Sequence, residues 1–130
     1  MRLLLDTHVW LWWLSEPERL PVTIHGALED GGNELFLSVV SSWEIAIKYA
    51  LGKLALPESP AAFVEARLLR DGLSTLSIEH RHALAVAELP FHHHDPFDRL
   101  LIAQAQGESM PLATVDPKME AYDVELLGRT

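Results

Sequence analysis

The sequence contains no cysteine among its 130 residues, which excludes disulfides, thiolate zinc sites and a cysteine nucleophile. This absence fits the cytoplasmic location that we expect. Long apolar runs are also missing, since the longest, Val9 to Leu14, is far too short to cross a membrane. The N-terminus lacks a small-residue cleavage pattern and Asp6 interrupts its apolar run. We therefore predict neither a signal peptide nor a membrane segment.

Basic residues are scarce. Ten Lys and Arg stand against 19 Asp and Glu, which gives a net charge of −9. Nucleic-acid binders normally contact phosphates through Lys and Arg, so this balance disfavours tight RNA binding by the chain alone. A carboxylate metal site would account for several of the negative charges, and its cations would neutralise part of them. The balance also suits a basic partner.

The length and composition predict one globular α/β domain over residues 1–130, because 48% of the residues are hydrophobic and 22% are charged. Buried strands are predicted at 1–5, 35–38, 73–78, 112–115 and 124–127. Helices are predicted at 7–14, 21–30, 41–51, 59–70, 79–89 and 95–106, with a helical turn after Asp116-Pro117. Strands that alternate with helices in this way favour a parallel sheet covered on both faces.

Acidic residues follow the apolar runs at the points where helix-like segments begin. The set comprises Asp6, Glu44, Asp98 and Asp116. Ligands of open α/β sheets bind outside the carboxyl ends of the strands, so these side chains can meet at one edge. Hard cations such as Mg²⁺ take oxygen ligands and activate water for attack on phosphate esters. The pattern therefore predicts a divalent-metal site.

Helix capping is the alternative explanation for each acid. Asp6 and Asp116 can serve as N-caps that accept free backbone N–H groups. Glu44 can complete a capping box that begins at Ser41, and Asp98 can complete a capping box that begins at Asp95. The order of the acids along the chain does not decide between capping and metal binding.

Several other residues are candidates for supporting roles. Thr7 and Thr114 can hydrogen-bond a carboxylate or a metal-bound water, or they can cap a helix. Asp95 is expected to be an N-cap, a role that is compatible with orienting Asp98 or a bound water. Arg99 can contact a substrate phosphate or form a structural ion pair.

Histidine and tryptophan clusters are treated separately. The triplet 92–94 is expected in a loop that touches phosphate or faces solvent. The Trp-rich helix from Thr7 to Leu14 is either fully buried or a partner surface. Trp43 is expected in the core.

The segments LLLDTHVWLWWL, SVVSSWEIAIKYALGKL, HHHDPFDRLLIAQA and PLATVDPKMEAYDVELL resemble the PIN-domain proteins, specifically the VapC-like toxins. The resemblance runs in order from residue 3 to about residue 127. Each segment alone is weakly specific, whereas DPFDRLLIAQA together with the LLLDTH start is strong. The resemblance implies a PIN-like three-layer α/β/α sandwich with a mainly parallel central sheet.

The resemblance also implies an activity, which is Mg²⁺- or Mn²⁺-dependent hydrolysis of RNA phosphodiester bonds by an endoribonuclease. It assigns the metal to the four acids at positions 6, 44, 98 and 116, with Thr114 as the hydroxyl near the last acid. Implied partners are an RNA substrate, a small antitoxin of a toxin–antitoxin pair and a second copy in a homodimer.

Two rival functions remain open. A catalytically inactive PIN-like module would bind a partner and use the acids as caps. A phosphohydrolase with an aspartyl nucleophile at Asp6 is disfavoured, because Thr7-His8 supplies no second acid.

Overall fold

The computed structural model describes residues 1–127, so the last three residues of the domain predicted over 1–130 lie outside the described part. The strands are β1 (Arg2–Leu5), β2 (Glu34–Ser38), β3 (Ser74–Leu76), β4 (Leu112–Ala113) and β5 (Leu126–Leu127). The helices are α1 (Thr7–Ser15), α2 (Val22–Glu29), α3 (Val39–Ala50), α4 (Pro60–Asp71), α5 (His80–Ala85) and α6 (Pro96–Glu108). Short 3₁₀ segments cover Pro17–Arg19, Val86–Glu88 and Pro117–Ala121.

The five strands form one parallel sheet in the order β3-β2-β1-β4-β5. The chain leaves β1 toward β2 on one side and later returns to β4 on the other side. A topological switch point therefore lies at the carboxyl end of β1, where α/β sheets bind their ligands. Asp6 directly follows β1 and Thr114 directly follows β4, so both residues lie at this point.

The core is divided by the sheet. Leu3 and Leu5 of β1 belong to one buried cluster with Trp10 of α1, whereas Leu4 belongs to a second cluster with Ile102 of α6. Successive strand residues point to opposite faces, so a continuous apolar strand needs cover on both sides. The predicted three-layer α/β/α architecture with a parallel central sheet is confirmed.

Buried polar contacts fix α3 against α6. Ser38 caps α3 by accepting from the Val40 amide, and its hydroxyl donates to Gln104 Oε1 at 2.5 Å. Gln104, which is fully buried, also donates to the Ser77 carbonyl beyond β3. These bonds tie together the two helices that carry Glu44 and Asp98.

The predicted helix boundaries differ from the structure at the start of α3 and at the end of α6. We expected Ser41 to begin α3, but the helix begins at Val39 because Ser38 is the cap. The helix predicted over 95–106 continues to Glu108 and ends where Ser109 adopts a left-handed φ of 53°.

Tryptophan burial also differs from expectation. Within α1, Trp10 is buried while Trp12 and Trp13 are only partly buried, so the fully buried alternative for this helix is wrong. Trp43 is half-exposed against Phe97 rather than in the core. Within residues 1–127, no helix has both the length and the apolar character needed to span a membrane.

Candidate metal centre

Asp6 and Thr114 meet between β1 and β4. The Asp6 side chain is 2% exposed, and the Thr114 hydroxyl donates to Asp6 Oδ2 at 2.7 Å. Asp6 occupies the N-cap position of α1, yet its side chain makes no capping hydrogen bond. Burial raises the pKa of Asp6, and the charge of Glu44 adds to this rise. The carboxylate is therefore held at the sheet edge by Thr114 and not used to stabilise the helix.

Glu44 lies in the second turn of α3 and is 2% exposed. Because Ser38 is the cap, Glu44 cannot complete the capping box considered above, and that alternative is wrong. Its Oε2 instead accepts from Lys48 Nζ at 2.5 Å. Burial alone would lower the pKa of Lys48, but the hydrogen bond and charge of Glu44 outweigh it and the pKa is raised.

Asp98 lies in the first turn of α6 and is buried. Burial and the charges of four surrounding carboxylates together raise its pKa to about 8, and burial has the largest effect. In decreasing order of effect the carboxylates are Asp6, Asp95, Glu44 and Asp116. The other three predicted acids therefore lie around Asp98, although within residues 1–127 no three of the four acids bring ligand atoms within 4.8 Å of one another.

Asp95 and Asp116 are true caps. Asp95 Oδ1 accepts from the amides of Phe97 and Asp98 at 2.9 and 3.1 Å. Asp116 Oδ1 accepts from the Lys118 amide at 2.9 Å, and its own amide donates to Thr114 Oγ1. For these two residues the capping explanation is correct, although both also place negative charge beside Asp98.

The buried carboxylates are incompletely satisfied. Within residues 1–127, Asp6 Oδ1 and Glu44 Oε1 are buried and have no hydrogen-bond partner. An unpaired buried carboxylate oxygen is costly, and a cation is the group that removes this cost most effectively. The donor set consists only of oxygens, which suits a hard divalent cation. The residues present therefore fit a hard divalent cation.

A cleft of about 450 Å³ opens beside Glu44 between α1 and α3. Its lining includes the exposed His8, the partly buried Trp12, Lys48 and the exposed Lys53. Cationic side chains thus border the acidic centre even though the whole chain is negative.

Thr7 and Arg99 have other roles than expected. Thr7 Oγ1 lies 2.7 Å from Ser41 Oγ in the buried contact of α1 with α3, so it neither binds a carboxylate nor caps its helix. Arg99 is 4% exposed, which removes it from direct phosphate contact. No carboxylate in the described residues forms an ion pair with it, so the ion-pair alternative is also wrong. Its guanidinium instead donates to loop carbonyls, at Val86, Leu89, Pro90 and His93.

Sequence reasoning missed His93 and Tyr122. His92 and His94 are exposed as expected, but His93 is partly buried and its Nε2 lies 3.3 Å from Asp98 Oδ2. Burial lowers the pKa of His93, which favours the neutral ring. Its Nδ1 lies 2.7 Å from the Tyr122 hydroxyl. The histidine triplet marked the loop but not which ring turns inward.

A second group of potential ligands lies elsewhere and is already satisfied. Glu79, His82 and Glu108 place ligand atoms within 4.8 Å of one another, with Glu108 at the far end of α6. His82 Nδ1 accepts from the Glu79 amide, which leaves Nε2 to face Glu108 at 3.0 Å. Arg81 pairs with both glutamates, and Arg2 adds a contact to Glu108. Unlike the sheet-edge centre, this group needs no cation.

Buried carboxylates at the switch point of a parallel sheet define an α/β protein with an acidic centre at the edge of its sheet. The PIN domain family model matches residues 3–125, so the chain belongs to the PIN domain family.

Two ribonucleases of Mycobacterium tuberculosis (strain ATCC 25618 / H37Rv) are similar in sequence. Ribonuclease VapC16 is 49% identical over 55 residues, which cover 42% of this chain and 39% of that protein. Ribonuclease VapC22 is 29% identical over 120 residues, which cover 92% and 90% of the two chains. The fold also resembles a chain in the crystal structure of VapBC2 from Rickettsia felis bound to a promoter DNA fragment. There the TM-score is 0.73 at 18% identity, with 97% of both chains covered.

Proposed function

We propose that this chain is a metal-dependent endoribonuclease and the toxin of a toxin–antitoxin pair. The observation that carries the proposal is the pair of buried, unpartnered oxygens Asp6 Oδ1 and Glu44 Oε1 beside Asp98. The similarity to proteins named ribonuclease supports RNA as the substrate. An RNA substrate in turn suits action in the cytoplasm.

Asp6, Glu44 and Asp98 would hold a Mg²⁺ or Mn²⁺ ion, with Asp116 assisting directly or through water. Such an ion lowers the pKa of water for attack on phosphorus and offsets the charge that develops on the phosphate oxygens. Thr114 fixes the Asp6 carboxylate, and Asp95 fixes the first turn of α6 on which Asp98 lies. The protein therefore supplies rigid, pre-positioned oxygen ligands.

The assay that tests this proposal uses the purified, partner-free protein with a mixed RNA pool. Cleavage is expected with Mn²⁺, is expected to stop with EDTA, and is expected to be lost in Asp6→Asn. The matched control is Asp123→Asn, which changes an exposed acid outside the centre. A folded wild-type protein that neither cleaves RNA nor binds Mn²⁺ would reject the nuclease and favour the inactive binding module.

Substrate phosphate is proposed to approach through the cleft beside Glu44, where Lys53 is exposed. We expect Lys53→Gln to weaken RNA binding. The negative slope of log affinity against log salt concentration should become shallower by about 0.7, which is the value for one lost phosphate contact to a single strand. Filter binding in the Asp6→Asn background measures this without cleavage. Arg70→Gln, which alters an exposed cation on α4, is the control and should leave the slope unchanged. Equal slopes for both variants would remove the cleft from the substrate path.

An antitoxin and a second copy of the chain are the proposed protein partners. The solved structure with a similar fold is named as a VapBC complex, which supports a two-protein assembly. Trp12 and Trp13 on α1 are only partly buried, and aromatic side chains are enriched at protein interfaces. The net charge of −9 suits a basic partner segment.

A further inference from the structure

A line of side chains connects the buried Arg99 to Asp98 through Tyr122 and His93. Arg99 Nη1 lies 3.1 Å from the Tyr122 hydroxyl. A guanidinium has donors only, so the tyrosine oxygen must accept from it. The His93 backbone amide donates to the same oxygen at 3.3 Å. The oxygen therefore accepts twice, and its own proton must point elsewhere.

The proton of Tyr122 has two acceptors within reach. His93 Nδ1 lies at 2.7 Å and the His93 carbonyl at 3.5 Å, so the ring nitrogen is much the better partner. In a neutral imidazole one nitrogen accepts while the other carries the proton. Donation from Tyr122 to Nδ1 thus leaves the ring proton on Nε2. Arg99 therefore sets the tautomer of His93 through two successive hydrogen bonds, with Tyr122 between them.

The protonated Nε2 of His93 faces Asp98 Oδ2 at 3.3 Å. We propose that His93 is a positioning residue that donates from Nε2 to Asp98 and so orients this carboxylate toward the metal centre, with its tautomer imposed by Arg99 through Tyr122. The proposal rests on the proposed function for the identity of the centre. His93 thus hydrogen-bonds the Asp98 carboxylate and is not a metal ligand, because the ring nitrogen that faces the centre carries a proton.

Arg99 has a second effect that supports this arrangement. Its guanidinium also bonds the carbonyls of Pro90 and His93, at 2.7 and 3.4 Å, and lies 4.4 Å from the Phe91 ring. The loop that carries His93 is therefore held before the histidine, at Pro90 and Phe91, and at the carbonyl of the histidine itself. Arg99 is a buried cation that binds carbonyls in place of an acid. This arrangement is consistent with a role in holding the loop and polarising the Tyr122 hydroxyl.

The test is Tyr122→Phe, which keeps the ring packed against His92 and His93 but removes the hydroxyl. In metal-free wild-type protein, ¹⁵N spectra of the histidine side chains should show His93 protonated on Nε2 only. This signal is assigned by its absence from His93→Gln. Tyr122→Phe should shift the ring to a mixture of tautomers. It should also bind Mn²⁺ about 10- to 100-fold more weakly, as measured by calorimetry.

Tyr49→Phe is the matched control, since it removes a hydroxyl from a partly exposed tyrosine on α3. It should change neither the His93 signal nor the Mn²⁺ affinity. His93→Gln, whose amide can donate to Asp98, should retain more Mn²⁺ affinity than His93→Ala, and this comparison decides the matter if Tyr122→Phe fails to fold.

Two results would overturn the proposal: a wild-type His93 protonated on Nδ1, or a folded Tyr122→Phe with unchanged tautomer and Mn²⁺ affinity. Failure of the proposed function looks different. In that case the wild-type protein binds no Mn²⁺ at all, and the positioning role is rejected together with the metal centre. The ¹⁵N spectra still report whether Arg99 and Tyr122 set the tautomer of His93.

Discussion

An Asp98→Asn variant is expected to lose Mn²⁺-dependent RNA cleavage, with kcat/KM reduced at least ~10³-fold. The substitution keeps the size of the side chain but removes the charge that a divalent cation requires. The capping bonds that start α6 come from Asp95, so the helix should form normally in the variant. Cleavage of a labelled RNA under single-turnover conditions measures the loss, and circular dichroism checks the fold.

Asp116→Asn provides an informative comparison for this prediction. Its Oδ1 already accepts from the Lys118 amide, so we place it at the margin of the centre and expect a smaller loss, roughly 10- to 100-fold. Asp123→Asn should cleave at the wild-type rate. An Asp98→Asn protein with wild-type kcat/KM would contradict the assignment of Asp98 to the metal.

The second large effect concerns stability without metal. Asp98→Asn should make the metal-free protein more stable at pH 8, by about 2–4 kcal/mol. The ordinary pKa of 3.8 is raised to about 8 in the folded protein. Between these values the folded state holds a proton that the unfolded chain releases. Wild-type stability therefore falls as the pH rises toward 8, whereas an uncharged asparagine is insensitive to this change.

Denaturant unfolding in EDTA at several pH values measures this effect. The advantage of Asp98→Asn should vanish below about pH 4, where the wild-type carboxyl is protonated in both states. Mn²⁺ at 1,000 times its Kd should reverse the order, because ligand at that concentration stabilises the folded wild-type protein by about 4.1 kcal/mol. Equal stabilities of the two proteins at pH 8 would show that neither burial nor the other acids raise the pKa of Asp98.

The sequence was sufficient for the fold and for the acids. Apolar strands such as Leu3 to Leu5 are buried on both faces, so their pattern alone indicates a parallel sheet. Asp6 follows β1 directly, and strand order then determines which residues share its edge. The acids at the starts of helix-like segments located the remaining members of the set in the correct elements. Their assignment as metal ligands stays a prediction.

Other features depended on tertiary contacts that local patterns do not carry. The Ser-x-x-Glu spacing suggested a capping box at Ser41. The N-cap of α3 is instead Ser38, the last residue of β2. Tyr122 lies 29 residues from His93, so no local signal joins them. Arg99 follows an acid directly, yet its side chain turns to carbonyls of the preceding loop.

The most direct test of the central claim is the anomalous diffraction of manganese in crystals of the wild-type protein grown with Mn²⁺. The account predicts a peak within about 2.5 Å of carboxylate oxygens from Asp6, Glu44 and Asp98. A crystal with no peak there, or with manganese only at Glu79, His82 and Glu108, would contradict it.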